Sequence, residues 1–162
     1  CCREDAQRHQ SRHTEAIACF YLGLALEGLG RWSESEEALQ SALELYRALD
    51  LLPAAIDAQA GLARVALVQG NQVKAQAWVE QLLADWPAYP NVGQDEPFLI
   101  YLTCYQVFSA IHDPRAQEFL KRGHQELLRY AELISESELR HSFLEKVPTH
   151  RLLREQYLTV SF

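Results

Sequence analysis

The chain has 162 residues, 48% of them hydrophobic, and a formal net charge of −7. That is enough apolar material for a folded core in one domain, and it excludes a disordered chain. The acidic balance argues against a sequence-independent nucleic-acid surface, no apolar run is long enough to span a bilayer, and the start lacks a basic-then-apolar leader pattern. With no methionine anywhere, the sequence is expected to be a piece of a larger protein. Of the four cysteines, Cys19 and Cys104 fall inside apolar helical stretches, where a free thiol behaves as a small hydrophobe. A reduced, cytoplasmic setting follows from that usage.

In chain order, the first helix is predicted over Thr14 to Leu29, from Ile17, Phe20, Tyr21 and Leu24 with Leu26 and Leu29 on a flanking stripe. Gly30 ends it. Ser33 with Glu36 reads as a capping box for a second helix, whose buried face is Ala38, Leu39, Ala42, Leu43 and Tyr46. So short a turn makes the two helices antiparallel. The unit then recurs: Pro53 suits a first helical turn, and Ala60, Leu62, Ala63, Ala66 and Leu67 supply a packing face. Gly70 ends that helix, Asn71 caps the next, and Ala75, Trp78, Val79, Leu82 and Leu83 form its stripe. Gly30 and Gly70 lie 40 residues apart, and Leu39, Ala42 and Leu43 are in step with Val79, Leu82 and Leu83. A fixed period of this kind signals stacked repeats.

A looser third copy follows the Pro-rich link "DWPAYPNVGQDEP". Its first helix spans Phe98 to Ile111; Asp113 and Pro114 then open a second, with Ala116, Phe119, Leu120, Leu127 and Leu128. Ser135 with Glu138 reads as another capping box, and Pro148 separates two closing helices. No stretch alternates apolar and polar residues, so the predicted fold is all-α. It is a right-handed superhelical solenoid of antiparallel helix pairs, with repeats at about 14–49, 53–85 and 96–130 and a C-terminal cap at about 135–160.

The stretch "YLGLALEGLGRWSESEEALQSALELY" resembles a tetratricopeptide repeat. Leu22 and Gly23 stand at the Leu-Gly pair of the motif, Leu26 at its usual tyrosine, Gly30 at its turn glycine and Trp32 at the aromatic after it. Leu39 and Ala42 match the packing positions of its second helix. The second copy matches through Leu62, Ala63, Ala66, Gly70, Ala75, Val79 and Leu82, with Ala63 for the glycine and Gln72 for the aromatic. The closing "ELRHSFLEKVPTHRLL" is similar to the end of helical-repeat regions in large bacterial signalling ATPases and transcriptional regulators. The tetratricopeptide resemblance implies a ligand groove along the first helix of each pair, at Phe20, Leu24, Glu27, Ala60, Arg64, Thr103 and Val107. Family members that clamp a C-terminal carboxylate use lysine and asparagine, whereas Phe20 and Leu24 occupy the matching positions here. The implied groove therefore suits an amphipathic helix or an extended apolar peptide, with Arg64 available for an anionic group.

Residues with chemical potential have structural roles that explain them better. His9 and His13 share a helix face with Cys2 nearby, a spacing that can hold zinc, but the segment is polar and both suit solvent. His112 with Asp113 could form a base and its orienting carboxylate, yet a cap followed by proline accounts for the aspartate. The "EGLGRW" glycines follow a helix, which makes them turn residues. His141 and Glu145 are one turn apart, a helix-surface pair, and His150 lies across the proline break. No nucleophile has a partner. The expectation is a module with no enzyme activity, cofactor or metal, which binds a protein or peptide partner or other domains of a bacterial regulator. It contacts neither nucleic acid nor membrane. The alternative is a structural module that forms homodimers through exposed solenoid ends.

Overall fold

The structure, a computed structural model, describes residues 2–86 and 97–160, with side chains from residue 10 onward. Those residues form eight α-helices and no strand. They are α1 (Cys2–Gly28), α2 (Trp32–Ala48), α3 (Leu52–Val68), α4 (Gln72–Asp85), α5 (Pro97–Ala110), α6 (Arg115–Glu132), α7 (Ser137–Glu145) and α8 (Pro148–Val160). Contacts divide the chain into two compact units, Cys1–Asp95 and Glu96–Phe162. In the first unit each helix packs on the next, and α1 also meets α3. In the second, α5 pairs with α6, and α8 lies against α6, α5 and α7. The Pro-rich link falls largely outside the described residues.

One turn is used four times. After α1, the Arg31 N–H donates to the Leu26 carbonyl at 2.9 Å, five residues back. The same bond joins Leu51 to Tyr46, Asn71 to Ala66 and Asp113 to Phe108. It is the signature of a Schellman motif, which needs a left-handed residue just before the donor. Gly30 and Gly70 supply it with φ of 72° and 77°, and Asp50 and His112 supply it with φ of 57°. His112 is thus the third copy's counterpart of the turn glycine. Because the donor residue also begins the next helix, α2 starts at Trp32 rather than after Ser33. The expected Ser33–Glu36 box does not form: Ser33 is exposed inside the helix and Glu36 pairs with Lys74 of α4. Asn71 does cap α4, its Oδ1 accepting from the Lys74 N–H at 3.1 Å. The Ser135–Glu138 box is likewise absent, since α7 starts at Ser137. Arg140 instead donates twice to the Ile134 carbonyl, at 2.7 and 3.0 Å, just beyond α6.

The core of the first unit is centred on Leu39, which is fully buried. A Cβ added to Gly23 would sit 2.6 Å from Leu39 Cγ, and one added to Gly61 would sit 2.9 Å from its Cδ1. Leu39 therefore fills notches in both α1 and α3. Buried Ser35, one turn earlier, donates its hydroxyl to the Gly23 carbonyl at 2.8 Å. In the second unit Gly123 has this role, with Tyr101 of α5 and Leu153 of α8 against it. His150 is buried there, its Nδ1 2.8 Å from the Phe143 carbonyl and its ring against Phe98 and Phe143.

The expected stripe of α1 is only partly buried. Ala16, Phe20, Gly23 and Leu26 face inward, while Ile17, Tyr21 and Leu29 are exposed. The inward face is offset by about one residue because Gly23, with no side chain to count as apolar, is the point of closest helix approach.

Leu39→Ala should cost about 2–5 kcal/mol, and Gly23→Ala about 1–3 kcal/mol by overpacking. Urea unfolding of the double variant should show less loss than the two single losses together, because the shorter side chain leaves room for the new methyl. Gly30→Ala and Gly70→Ala should each lose about 1 kcal/mol, whereas His112→Gly should gain up to about 1 kcal/mol, read from the same midpoints.

Candidate functional site

The helices α1 and α3 run side by side in the first unit, and their separation differs along their length. Near their C-terminal ends Arg64 reaches across to Glu27 in a two-pronged ion pair, with Nε–Oε1 at 2.7 Å and Nη2–Oε2 at 2.8 Å. Both side chains are largely shielded, and a forked pair in such a setting is among the stronger polar contacts. Between the middle of α1 and the start of α3 the two helices leave a cleft of about 380 Å³. Ile17, Phe20 and Tyr21 of α1 form one wall, Pro53, Ala54 and Asp57 of α3 the other, and Tyr46 and Leu51 contribute from the end of α2 and its turn. The Phe20 ring meets Tyr21 edge-on at 5.4 Å and Tyr46 at 6.3 Å. A smaller hollow of about 260 Å³, lined by Gln10, His13, Leu49 and Leu51, adjoins through His13 and Leu51.

The lining explains what such a cleft can accept. Its polar side chains are His13, Asp57 and the hydroxyl-bearing Tyr21 and Tyr46, and no lysine or arginine lines it among the described residues. Phe20 and Tyr46 are buried and held by the core cluster, so that wall is rigid. Tyr21, 53% exposed, and Ile17 are open to solvent on one side. Preformed apolar concavities with a few polar groups at the edge are what ligand sites look like.

The residues implied by the resemblance fall in different places. Phe20 lines the cleft, Leu24 is half-buried against the core, and Glu27 and Arg64 hold each other. The Arg64 guanidinium is thus already engaged by a carboxylate of its own chain. Ala60 is buried in α3. Thr103 and Val107 are fully buried in the second unit, where the Thr103 hydroxyl donates to the Leu99 carbonyl at 2.7 Å. Ile17, Tyr21, Tyr46, Leu51 and Ala54 belong to the cleft and were not among the implied positions. Periodicity assigns an apolar residue to a helix face, but which part of that face a neighbour covers depends on helix spacing.

The remaining titratable groups have structural surroundings. Asp113 accepts from the Arg115 backbone N–H at 2.9 Å and from its guanidinium, which holds its carboxyl below the usual range. His112 is exposed at the turn. Burial, helped by nearby Arg154, pulls the His124 imidazole below its ordinary value, and its ring stacks on Tyr157 at 4.0 Å. Glu145 pairs with Arg154, His141 is exposed, and His150 is a core residue, so the closing histidines and glutamate do not converge. His13 is exposed, and the side chains of Cys2 and His9 lie outside the described residues. Among the described residues, no group of three or more His, Cys, Asp or Glu side chains is placed to hold a metal.

Residues 8–49, covering most of α1 and all of α2, match the family model for the tetratricopeptide repeat. No curated protein and no solved structure matches the chain.

A double-mutant cycle on Glu27→Gln and Arg64→Gln should return a coupling of about 1–3 kcal/mol in urea unfolding, since the charged hydrogen bonds are largely screened from water. An exposed pair such as Arg122 with Glu118 should give under about 1 kcal/mol.

Proposed function

We propose that this chain is a non-catalytic protein-interaction module that takes an apolar segment of a partner into the cleft between α1 and α3. The observation that carries the proposal is a preformed apolar concavity that keeps Ile17 and Tyr21 accessible beside buried Phe20 and Tyr46. An amphipathic helix or an extended peptide with one large apolar side chain suits that shape. Tetratricopeptide repeats generally mediate protein–protein interaction, and the matched segment contains the α1 wall of the cleft. Of the groove residues named from the resemblance, Phe20 contacts the ligand. Leu24 and the Glu27–Arg64 pair close the far end. Ala60 supports the α3 wall from within, and Thr103 and Val107 act only through packing of the second unit.

The same reading places the chain in the cytoplasm as the sensor or scaffold part of a larger bacterial regulator. Occupancy of the cleft then biases other domains of the parent protein. Support comes from the closing "ELRHSFLEKVPTHRLL" and from the placement of Cys19 and Cys104 within apolar stretches of helix. No helix among the described residues is long and apolar enough to cross a membrane.

A peptide-display selection on the immobilised chain should enrich sequences with an aromatic or leucine anchor. Ala54→Trp, which fills the cleft, and Ile17→Asp should each weaken an enriched peptide at least tenfold, about 1.4 kcal/mol or more. Leu128→Asp in the second unit should leave its affinity unchanged. Failure to enrich any peptide, or indifference to both cleft variants, would refute the proposal.

A further inference from the structure

Helix α1 has a second apolar surface, outside the cleft. Ala18, Leu22, Ala25 and Leu29 follow one another at intervals of four, three and four residues, so they form one stripe on one helix face. All four are exposed, Leu22 to 54% and Leu29 to 71%, whereas Ala16, Phe20 and Gly23 on the inward side are buried. Tyr21 stands beside the stripe and links it to the cleft rim. None of the four stripe residues lines the cleft. From His13 to the Gly30 turn the chain carries two charged residues, Glu15 and Glu27, and Glu27 is tied to Arg64. Contiguous exposed apolar surface without charge at its centre is the composition of an interface core.

We infer that this stripe pairs with the same stripe of a second copy, the two α1 helices antiparallel about a two-fold axis. The argument is self-complementarity in size and charge. Large and small residues alternate along the stripe: Ala18, Leu22, Ala25, Leu29. Reversing one copy against the other sets Ala18 opposite Leu29 and Leu22 opposite Ala25. Every leucine then meets an alanine, so the helices approach closely and ridges enter grooves. A two-fold axis repeats both contacts, as an isologous interface requires. A parallel arrangement would set leucine against leucine and alanine against alanine. Charge favours the same orientation. Exposed Glu15 precedes the stripe and exposed Arg31 follows it, so the antiparallel pair brings opposite charges level at both ends. Arg31 is bridged to Glu34 within the chain, but that pair is solvent-exposed and exchanges partners at little cost. Self-pairing does not depend on the cleft being a ligand site, because a different set of side chains carries it.

The test is sedimentation velocity of the full 162-residue chain over a concentration series. A monomer–dimer equilibrium is expected. Leu22→Glu should raise the dissociation constant at least tenfold with an unchanged far-ultraviolet circular dichroism spectrum. Val73→Glu, at an 81% exposed apolar site on α4, should leave the equilibrium as it was. The register is tested by mixing. Leu22→Glu chains and Ala25→Lys chains should each be weak dimers alone, and their equimolar mixture should form a heterodimer at least tenfold tighter than either. A monomer at every concentration, a dimer indifferent to Leu22→Glu, or a mixture no tighter than its components would each overturn the proposal.

Discussion

Leu39 of α2 stands where three helices meet, and the first unit is organised around it. Its side chain enters the space left by the missing Cβ of Gly23 on α1 and of Gly61 on α3. The Ser35 hydroxyl, one turn away, then ties α2 to the Gly23 carbonyl. Two glycines inside helices carry an intrinsic penalty of about 1 kcal/mol each relative to alanine, which close packing around one leucine offsets. With α1 and α3 both anchored to the same side chain, their mutual position is set. The Glu27–Arg64 pair then closes one end of the α1–α3 seam, and the cleft opens at the other.

The second unit applies the same device with a different third helix. Gly123 of α6 receives Tyr101 and Leu153, so α8 lies against α6 much as α3 lies against α2. Helix α8 arrives after the break at Pro148, and its entry is fixed by His150, which joins the Phe143 carbonyl and sits among aromatic rings. A histidine in that role contributes packing and one hydrogen bond. The Arg154–Glu145 pair ties α8 back to α7. The C-terminal segment therefore completes a core, as a cap does.

The two surfaces of α1 share a cause. Its inward face is committed to α2 and α3 through Ala16, Phe20, Gly23 and Leu26. That leaves Ile17 and Tyr21 at the cleft and the Ala18–Leu29 stripe on the far side, both apolar and both exposed. From Ala16 to Leu26, α1 therefore carries apolar residues on nearly every side, and only part of that surface is covered by α2 and α3. This stretch falls inside residues 8–49, the segment that matches the tetratricopeptide repeat.

Periodicity, two turn glycines and the 40-residue interval were sufficient to establish an all-helical chain of paired helices, because those signals are local and repeat. The proline at 148 and the aspartate–proline pair at 113 and 114 located later boundaries for the same reason. The sequence left unmarked that Asp50 and His112 adopt the glycine conformation, since aspartate and histidine are enriched among left-handed residues but take ordinary backbone conformations far more often. Capping boxes at Ser33 and Ser135 failed because the Schellman turn started α2 ahead of Ser33, which left that serine inside the helix, and α7 starts two residues beyond Ser135. Tertiary structure alone decided that Arg64 is engaged by Glu27, that Thr103 and Val107 are sealed in a core, and that Ile17 and Tyr21 are open. The physical reason is that exposure and partnership depend on the distance between helices, and here one leucine seated against two glycines sets that distance.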